Sequence, residues 1–470
     1  MSTNFNLMLL HKKADVHPRS WVCLGGRKLV KIMSKGELEV LRDMGITREE
    51  LSRRLGKRLG CSHSVIKRIL RGKRYFPIPV IIALLGHRKE KDINVREIIK
   101  SSEWLKVNSA SAKPIKACKK LGAVLARALG AFTADGSLSI ITTFSAGKNE
   151  ELEDLEKSIN IKKINYSKYY SYSRREYFLS MANNRSNFEE IDDIIQKYSK
   201  RIRLQQHTRI EVTDYYRDNI KAFNEWIFTI FGIKPNSCCK KGNAWRTCFS
   251  NKILGRYLTT FFEAFPGKKS KIAFEPEIIK NSPLGIRRQF AKGVLMFDGC
   301  ATMTGRVQLE SRSPFLIQSI REIWSQDGIS FGIQKNKNVI YSTLKNNGNK
   351  IKRYFESGST KYYRLLMIRG GINVTPRLDS KSENISLKRM LRTIKKVGMC
   401  DVAFLSNKFN VGPSTVISYL KTLKKCKKIK LNRTPGFLNM KFISKETGVL
   451  LKEKTRIPLF EKMKEKFGSH

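Results

Sequence analysis

Residues 128–136 read "ALGAFTADG" and residues 291–299 read "AKGVLMFDG". In each, a glycine stands six residues before a second glycine, and an aspartate immediately precedes the second. Apolar residues fill most of the other positions. Each stretch closes an apolar-periodic run, which predicts amphipathic helices over 121–135 and about 285–298. The same 163-residue offset relates both glycines and the aspartate of one copy to those of the other, so the chain carries an internal duplication.

A helix C-terminus is an unfavourable place for a carboxylate, because the macrodipole is negative there. The glycines suggest why an acid is tolerated. Gly130 and Ala134, one turn apart, leave a nearly bare stripe on the first helix, and Gly293 notches the second. Small residues let two helix backbones approach closely, as in membrane helix pairs. The two helices are therefore expected to lie side by side, with Asp135 and Asp298 meeting at their ends. Gly136 and Gly299 are expected at the C′ position in the left-handed conformation. Two carboxylates and two negative helix ends repel, and a divalent cation relieves that repulsion. Mg²⁺ takes oxygen ligands, commonly one or two carboxylates with substrate phosphates completing the shell. Ions so held activate water and stabilise a leaving oxygen. The pattern thus predicts a phosphodiesterase centre with Asp135 and Asp298 as metal ligands and catalytic acids, and Mg²⁺ or Mn²⁺ as cofactor. Asp327-Gly328 is an internal control: Glu322 stands where the earlier glycine would be, and the pair reads as a plain turn.

Charge points to the substrate. The 470 residues carry a net charge of +52. Residues 1–120 hold 28 Lys/Arg against 10 Asp/Glu, residues 381–470 hold 22 against 6, and the middle holds 42 against 24. Basic excess spread along folded segments suits a long polyanion, here double-stranded DNA. Nine cysteines occur without a C-x-x-C pair, so zinc-ribbon spacing is absent. The apolar run "VIIALL" at 80–85 is far too short to span a bilayer. A cytoplasmic monomer with no membrane partner and no small-molecule cofactor beyond the metal is expected. Without a terminal His-Asn, the chain also reads as free-standing rather than as an intein.

Two flanking units read as DNA-binding modules. In "GITREELSRRLGKRLGCSHSVIKRILRGKR", Thr47 and Glu50 form a capping-box pair, Ser62 starts a second helix, and Gly72 closes it. Val65, Ile66, Ile69 and Leu70 would face inward; Lys67, Arg68 and Arg71 would face out. This predicts a helix-turn-helix with 62–71 as recognition helix. Near the C-terminus, "DVAFLSNKFNVGPSTVISYLKTLKK" gives a short helix, a turn and a second helix carrying Lys421, followed by two strands around Pro435-Gly436: a winged helix-turn-helix pattern. The expected divisions are an N-terminal segment 1–34, a helix-turn-helix domain 35–117, halves 118–235 and 236–375, a winged unit 385–445 and a basic tail 446–470. Between the modules, helices alternate with short β-rich segments, an α/β or α+β pattern. Within it, "INYSKYYSYSRREYFLSM" (164–181) interleaves aromatics with Lys168, Arg174 and Arg175, as a strand pair lying on DNA would.

The duplicated motif resembles that of the LAGLIDADG (DOD-type) homing endonucleases in their two-motif, single-chain form. Gly130, Ala134, Asp135 and Gly136 match the consensus letters, as do Gly293, Asp298 and Gly299; "FNEWIFTIFGIKP" (223–235) and "SNKILGRYLTTFFEAFPGKKS" (250–270) agree in style. Position six of the motif is Thr133 and Met296 rather than an acid. The resemblance covers about 120–330. It implies a pseudo-two-fold core in which the motif helices form the central interface and two saddle-shaped antiparallel sheets cover the DNA major groove. It implies Mg²⁺-dependent cutting of both strands at a long asymmetric site. It also implies a basic residue in each half on a strand after the motif, for which Lys148 and Arg312 are candidates; Arg185, Lys268 and Lys269 are further options or plain phosphate contacts. Two rivals remain: a non-cleaving regulator that reuses the scaffold beside helix-turn-helix modules, and an intron-binding RNA maturase.

Overall fold

The structure is a computed structural model. It describes residues 4–356, apart from 13–14, 16–17, 72–74, 87–94, 110–111, 200, 302–305, 335–337, 344–346 and 348–349. It also describes Lys361 and, in the C-terminal part, 386–397, 399–400, 405, 408–409, 411, 413–426, 428–432 and 441–444. The basic tail 446–470 and most of 357–385 lie outside the described residues.

The N-terminal unit runs β1 (Val22–Gly25), α1 (Arg27–Met44), α2 (Arg48–Leu59), α3 (His63–Arg71), β2 (Tyr75–Pro77), α4 (Ile78–Leu85), α5 (Val95–Ser101), β3 (Trp104–Val107) and β4 (Ile115–Lys116). The Thr47 hydroxyl accepts from Glu50 N at 3.2 Å, and Gly60 ends α2 at φ 63°, so the α2–α3 hairpin starts and stops where its caps dictate. Ile66 and Leu70 are buried on α3; Arg68 and Arg71 are exposed. The expected boundary at 34/35 is wrong, because it cuts α1. The four strands also form one antiparallel sheet in the order β2-β1-β3-β4, so the unit is not purely helical.

The central part continues with α6 (Ala123–Asp135), β5 (Gly136–Ala146), α7 (Glu153–Ile161), β6 (Tyr166–Ser171), β7 (Glu176–Ala182), α8 (Phe188–Tyr198), β8 (Arg203–Asp214), α9 (Arg217–Phe231), β9 (Ser237–Lys241), β10 (Ala244–Phe249) and α10 (Lys252–Phe261). Then follow α11 (Glu277–Lys280), α12 (Leu284–Phe297), β11 (Gly299–Ala301), β12 (Arg306–Glu310), α13 (Pro314–Gln326), β13 (Gly332–Gln334) and β14 (Val339–Thr343). A six-stranded antiparallel sheet has the order β6-β7-β5-β8-β10-β9, and a four-stranded one the order β11-β12-β14-β13. Each sheet springs from a motif helix: Gly136 opens β5, and Gly299 opens β11. The expected division at 235/236 is also corrected. The β9–β10 hairpin belongs to the first sheet, since β10 pairs with β8 from Trp245↔Asp214 to Phe249↔Ile210.

Helix α6 is buried nearly all round, from Leu125 to Phe132, because it lies at the centre of the molecule. One continuous core runs from Phe5 through the motif helices to Phe355. A second lies beneath the β6–β7 hairpin, around Phe144, Leu155 and Ile191.

The C-terminal unit has its own core, including Met390, Ile394, Val416, Leu420 and Leu423. It comprises α14 (Leu387–Val397), β15 (Met399–Cys400), α15 (Pro413–Lys425), β16 (Ile429–Asn432) and β17 (Lys441–Ser444), with β16 and β17 antiparallel. Among the described residues, no helix is long and apolar enough to cross a membrane.

Candidate active site

Helices α6 and α12 pack so closely that a side chain at the motif glycines would enter the opposing backbone. A Cβ on Gly130 would sit 2.0 Å from the Phe290 carbonyl oxygen, and one on Gly293 would sit 2.0 Å from that of Arg127. Arg127 and Phe290 are themselves related by the duplication offset, so the two close approaches are one contact seen from each side of a pseudo-dyad. The second glycines act differently from expectation. Gly136 is extended (φ −87°, ψ 160°), and neither it nor Gly299 has positive φ. A strand begins at once after each helix, which leaves no room for a left-handed cap. Glycine is required there because a Cβ would lie 2.5 Å from Phe132 O in the first copy and 2.4 Å from Leu295 O in the second.

The packing brings the helix ends together. Asp135 is the last residue of α6, and Asp298 caps α12. Both side chains are partly buried. Burial, then the neighbouring Asp298 and Asp214, pushes the Asp135 carboxyl up to about 7. Burial raises Asp298 as well, opposed by Lys361 and Lys269. Among the described residues, no hydrogen-bond donor is directed at either carboxylate. Asp327 provides the contrast. Arg288 donates to both its oxygens and the Tyr354 hydroxyl adds a bond at 3.0 Å, while Gly328 takes φ 64°. The control Asp-Gly is a satisfied carboxylate followed by a left-handed turn glycine, and the motif Asp-Gly pairs are neither.

Two lysines converge on the aspartates. The Lys269 ammonium donates to Phe132 O and, at 2.9 Å, to Thr133 O, the final turn of α6. Burial pulls it down to about 7, against the attraction of Asp135 and Asp298. Lys361 donates to Phe297 O at 2.7 Å, at the end of α12. Burial lowers it too, against Asp214, Asp135, Cys300 and Asp298. Cations at a helix C-terminus offset the dipole that makes an acid costly there. A third carboxylate, Asp214 at the end of β8, is buried close by and raised by that burial. Sequence reasoning placed Lys269 among general options and missed Lys361, Asp214 and Asn219 altogether; no local pattern marks them.

Two lone-pair-rich carboxylates fit a divalent cation. No group of three or more His, Cys, Asp or Glu among the described residues is placed to hold a metal. Asp135 and Asp298 would supply two carboxylate ligands to such an ion, with water and phosphate available to complete its shell.

The remaining expected residues are dispersed. Lys148 is exposed beyond the far end of the eleven-residue β5, roughly 35 Å along the strand from Asp135, so the structure does not bring it to the pair. Arg312 is exposed just after β12, at the end adjoining Asp298; the cations acting on Asp298 are Lys361 and Lys269. The outer face of the first sheet forms a trough of about 780 Å³ lined by Tyr169, Ser171, Arg174, Phe178, Gln205 and His207, among others. Arg174 lies over Phe178 at 5.8 Å, and Arg175 occupies the hairpin turn with φ 53°. Lys168 faces the other way: strand alternation turns it toward α7, where it pairs with Glu156. Lys67 likewise pairs with Glu49 on α2. Arg185 covers Phe265 at 5.5 Å beside exposed Lys268, and Lys421 is exposed on α15. Cys23, Cys61, Cys118, Cys238, Cys239, Cys248, Cys300 and Cys426 are free thiols.

No family model and no curated protein matches the chain. Among solved structures, the crystal structure of I-DmoI in complex with DNA and Mn is 13% identical, aligned over 49% of this chain and 93% of its own with a TM-score of 0.27. Mesophilic variants of the homing endonuclease I-DmoI give 13%, 49%, 92% and 0.27 in the same order. I-DmoI with DNA and Ca gives 12%, 50%, 92% and 0.28. TM-scores this low decide nothing about fold or activity.

Proposed function

We propose that this chain is a site-specific double-strand DNA endonuclease that hydrolyses phosphodiester bonds with Mg²⁺ or Mn²⁺. The observation that carries the reading is the glycine-mediated contact of α6 with α12, which sets at one pair of helix ends two carboxylates that lack hydrogen-bond donors among the described residues. A divalent ion held by Asp135 and Asp298 would polarise the scissile phosphate and activate water. Lys269 and Lys361, anchored on the helix ends, supply positive charge beside the phosphate as negative charge develops on it. The outer face of the first sheet, with exposed Arg203, His207 and Arg209 on β8, supports DNA lying across it. Arg174, Arg175, Arg185 and Lys268 extend that basic surface. The α2–α3 hairpin with Arg68 and Arg71, and the C-terminal unit with Lys421, would lengthen the footprint as helix-turn-helix modules. The protein would act as a monomer, since one chain supplies both halves.

The test is incubation of supercoiled plasmids carrying a randomised target library with purified protein and Mg²⁺. Metal-dependent linear product that vanishes in Asp135→Asn supports the reading. Tight, sequence-selective DNA binding with no cutting in any divalent metal would favour the regulator, a reading that the two flanking modules keep in play.

A further inference from the structure

The ends of the two motif helices are held by different devices, and the difference identifies a residue outside the motifs. At α6, one ammonium serves the terminal carbonyls, since Lys269 takes both Phe132 O and Thr133 O. At α12, the last two carbonyls have separate holders. The Asn219 amide donates to Met296 O at 2.7 Å, and Lys361 donates to Phe297 O at 2.7 Å. Both holders rest on one loop. The Asn219 amide also donates to Asp214 Oδ2 at 2.9 Å, Tyr216 N donates to Asp214 Oδ1 at 2.5 Å, and the Lys361 ammonium lies 5.6 Å from the Tyr216 ring centroid. Asp214, Asn219 and Lys361 are 5%, 2% and 6% exposed, so water does not substitute for these bonds.

The geometry points to Asp214 as a positioning residue that fixes Asp298 by fastening the last turn of α12 through Asn219 and the Tyr216 loop, with no counterpart at Asp135 among the described residues. The terminal carbonyls of a helix need partners when the chain turns directly into a strand. Removing the hub leaves the buried Asn219 amide short of an acceptor and the buried Lys361 ammonium short of a counter-charge, and the adjacent aspartate loses its fixed place. Displacements of about 1 Å at a reacting group can cost on the order of a hundredfold in rate. The cleavage arm of this inference rests on the nuclease reading; its structural arm does not.

Amide hydrogen exchange by mass spectrometry on full-length Asp214→Asn tests the structural arm. Peptides covering 294–298 should exchange at least tenfold faster than in the wild type, while those covering 131–135 keep the wild-type rate. Asn219→Ala, which removes the bridging amide without touching Asp214, should reproduce the pattern. Equal loosening of both helix ends, or of neither, in the variants that fold overturns the inference. In plasmid assays, Asp214→Asn should accumulate nicked circles, because one aspartate stays in place while the other shifts. A parallel fall of nicking and linearisation in an active enzyme would overturn the asymmetry. Selective exchange in a protein whose wild type cuts nothing would keep the positioning role and remove the nuclease reading.

Discussion

Gly130 and Gly293 face each other's helices so closely that a methyl group on either would stand 2.0 Å from a backbone oxygen of the other helix. No side-chain rearrangement relieves a clash with backbone; the helices must separate. Gly130→Ala and Gly293→Ala should therefore each cost roughly 3 kcal/mol, the upper range of overpacking effects. Gly285→Ala on the same α12 is the control, since nothing lies within 4 Å of its Cβ position. It should stabilise by about 0.5 kcal/mol through helix propensity. Urea denaturation of the three variants checks both signs. Equal effects at all three positions would contradict the close packing.

Asp135 trades stability for its position. Its carboxyl is raised from 3.8 to about 7, so the folded state prefers the protonated form. Metal-free protein should lose stability as pH rises from about 4 through 7, the window between the unfolded and folded values. Asp135→Asn should remove that loss and raise stability at pH 8 by on the order of 1–2 kcal/mol after allowing for partial exposure, seen as a higher melting temperature. Mg²⁺ or Mn²⁺ should stabilise the wild type by mass action and leave the variant unchanged. Scanning calorimetry with and without metal reads all three effects.

The N-terminal segment is clasped to the core through Asp15. Its carboxylate takes a two-pronged pairing from Arg256 and a bond from Lys252 at 3.1 Å, while Arg256 also donates to Leu10 O at 2.8 Å. Burial alone would raise this carboxyl, but Arg256 and Lys252 hold it well below the usual range. A depressed carboxyl contributes stability above its unfolded value that is lost as pH falls through the folded one. Asp15→Asn should cost about 3 kcal/mol at pH 7, because it strands a buried guanidinium. The gap from the wild type should begin to narrow as pH falls below about 4. Denaturation at pH 7 and pH 3 compares the two.

DNA affinity should fall steeply with salt, because many phosphates are neutralised. Arg68→Ala with Arg71→Ala should weaken binding and shallow the log–log slope by about one per lost phosphate contact. Lys67→Ala should do less, since Glu49 already engages that ammonium. Fluorescence anisotropy over a salt series measures each slope.

The sequence made the central pair legible because glycine spacing, helix period and the repeat offset all report local geometry. The α2 caps and the C-terminal helix with its two strands were readable for the same reason. What escaped depends on distant pairing. The β9–β10 hairpin looks self-contained, and only its register with β8 assigns it to the first sheet. The N-terminal sheet is built from strands of two to four residues drawn from across almost a hundred positions, too short for an alternation signal. Gly136 was expected to be left-handed by the usual logic of helix ends. The strand that follows it at once sets a different demand, close approach to Phe132 O. Lys269, Lys361 and Asp214 reach the aspartates only through tertiary structure, which is why strand-following basic residues such as Lys148 drew attention instead.

Anomalous diffraction from crystals soaked in Mn²⁺ addresses the proposed metal site shared by Asp135 and Asp298 directly. A manganese peak bridging the carboxylates of Asp135 and Asp298, lost in Asp298→Asn, is the predicted result. Carboxylates that bind no manganese while DNA is present, or a peak only elsewhere on the molecule, would contradict it.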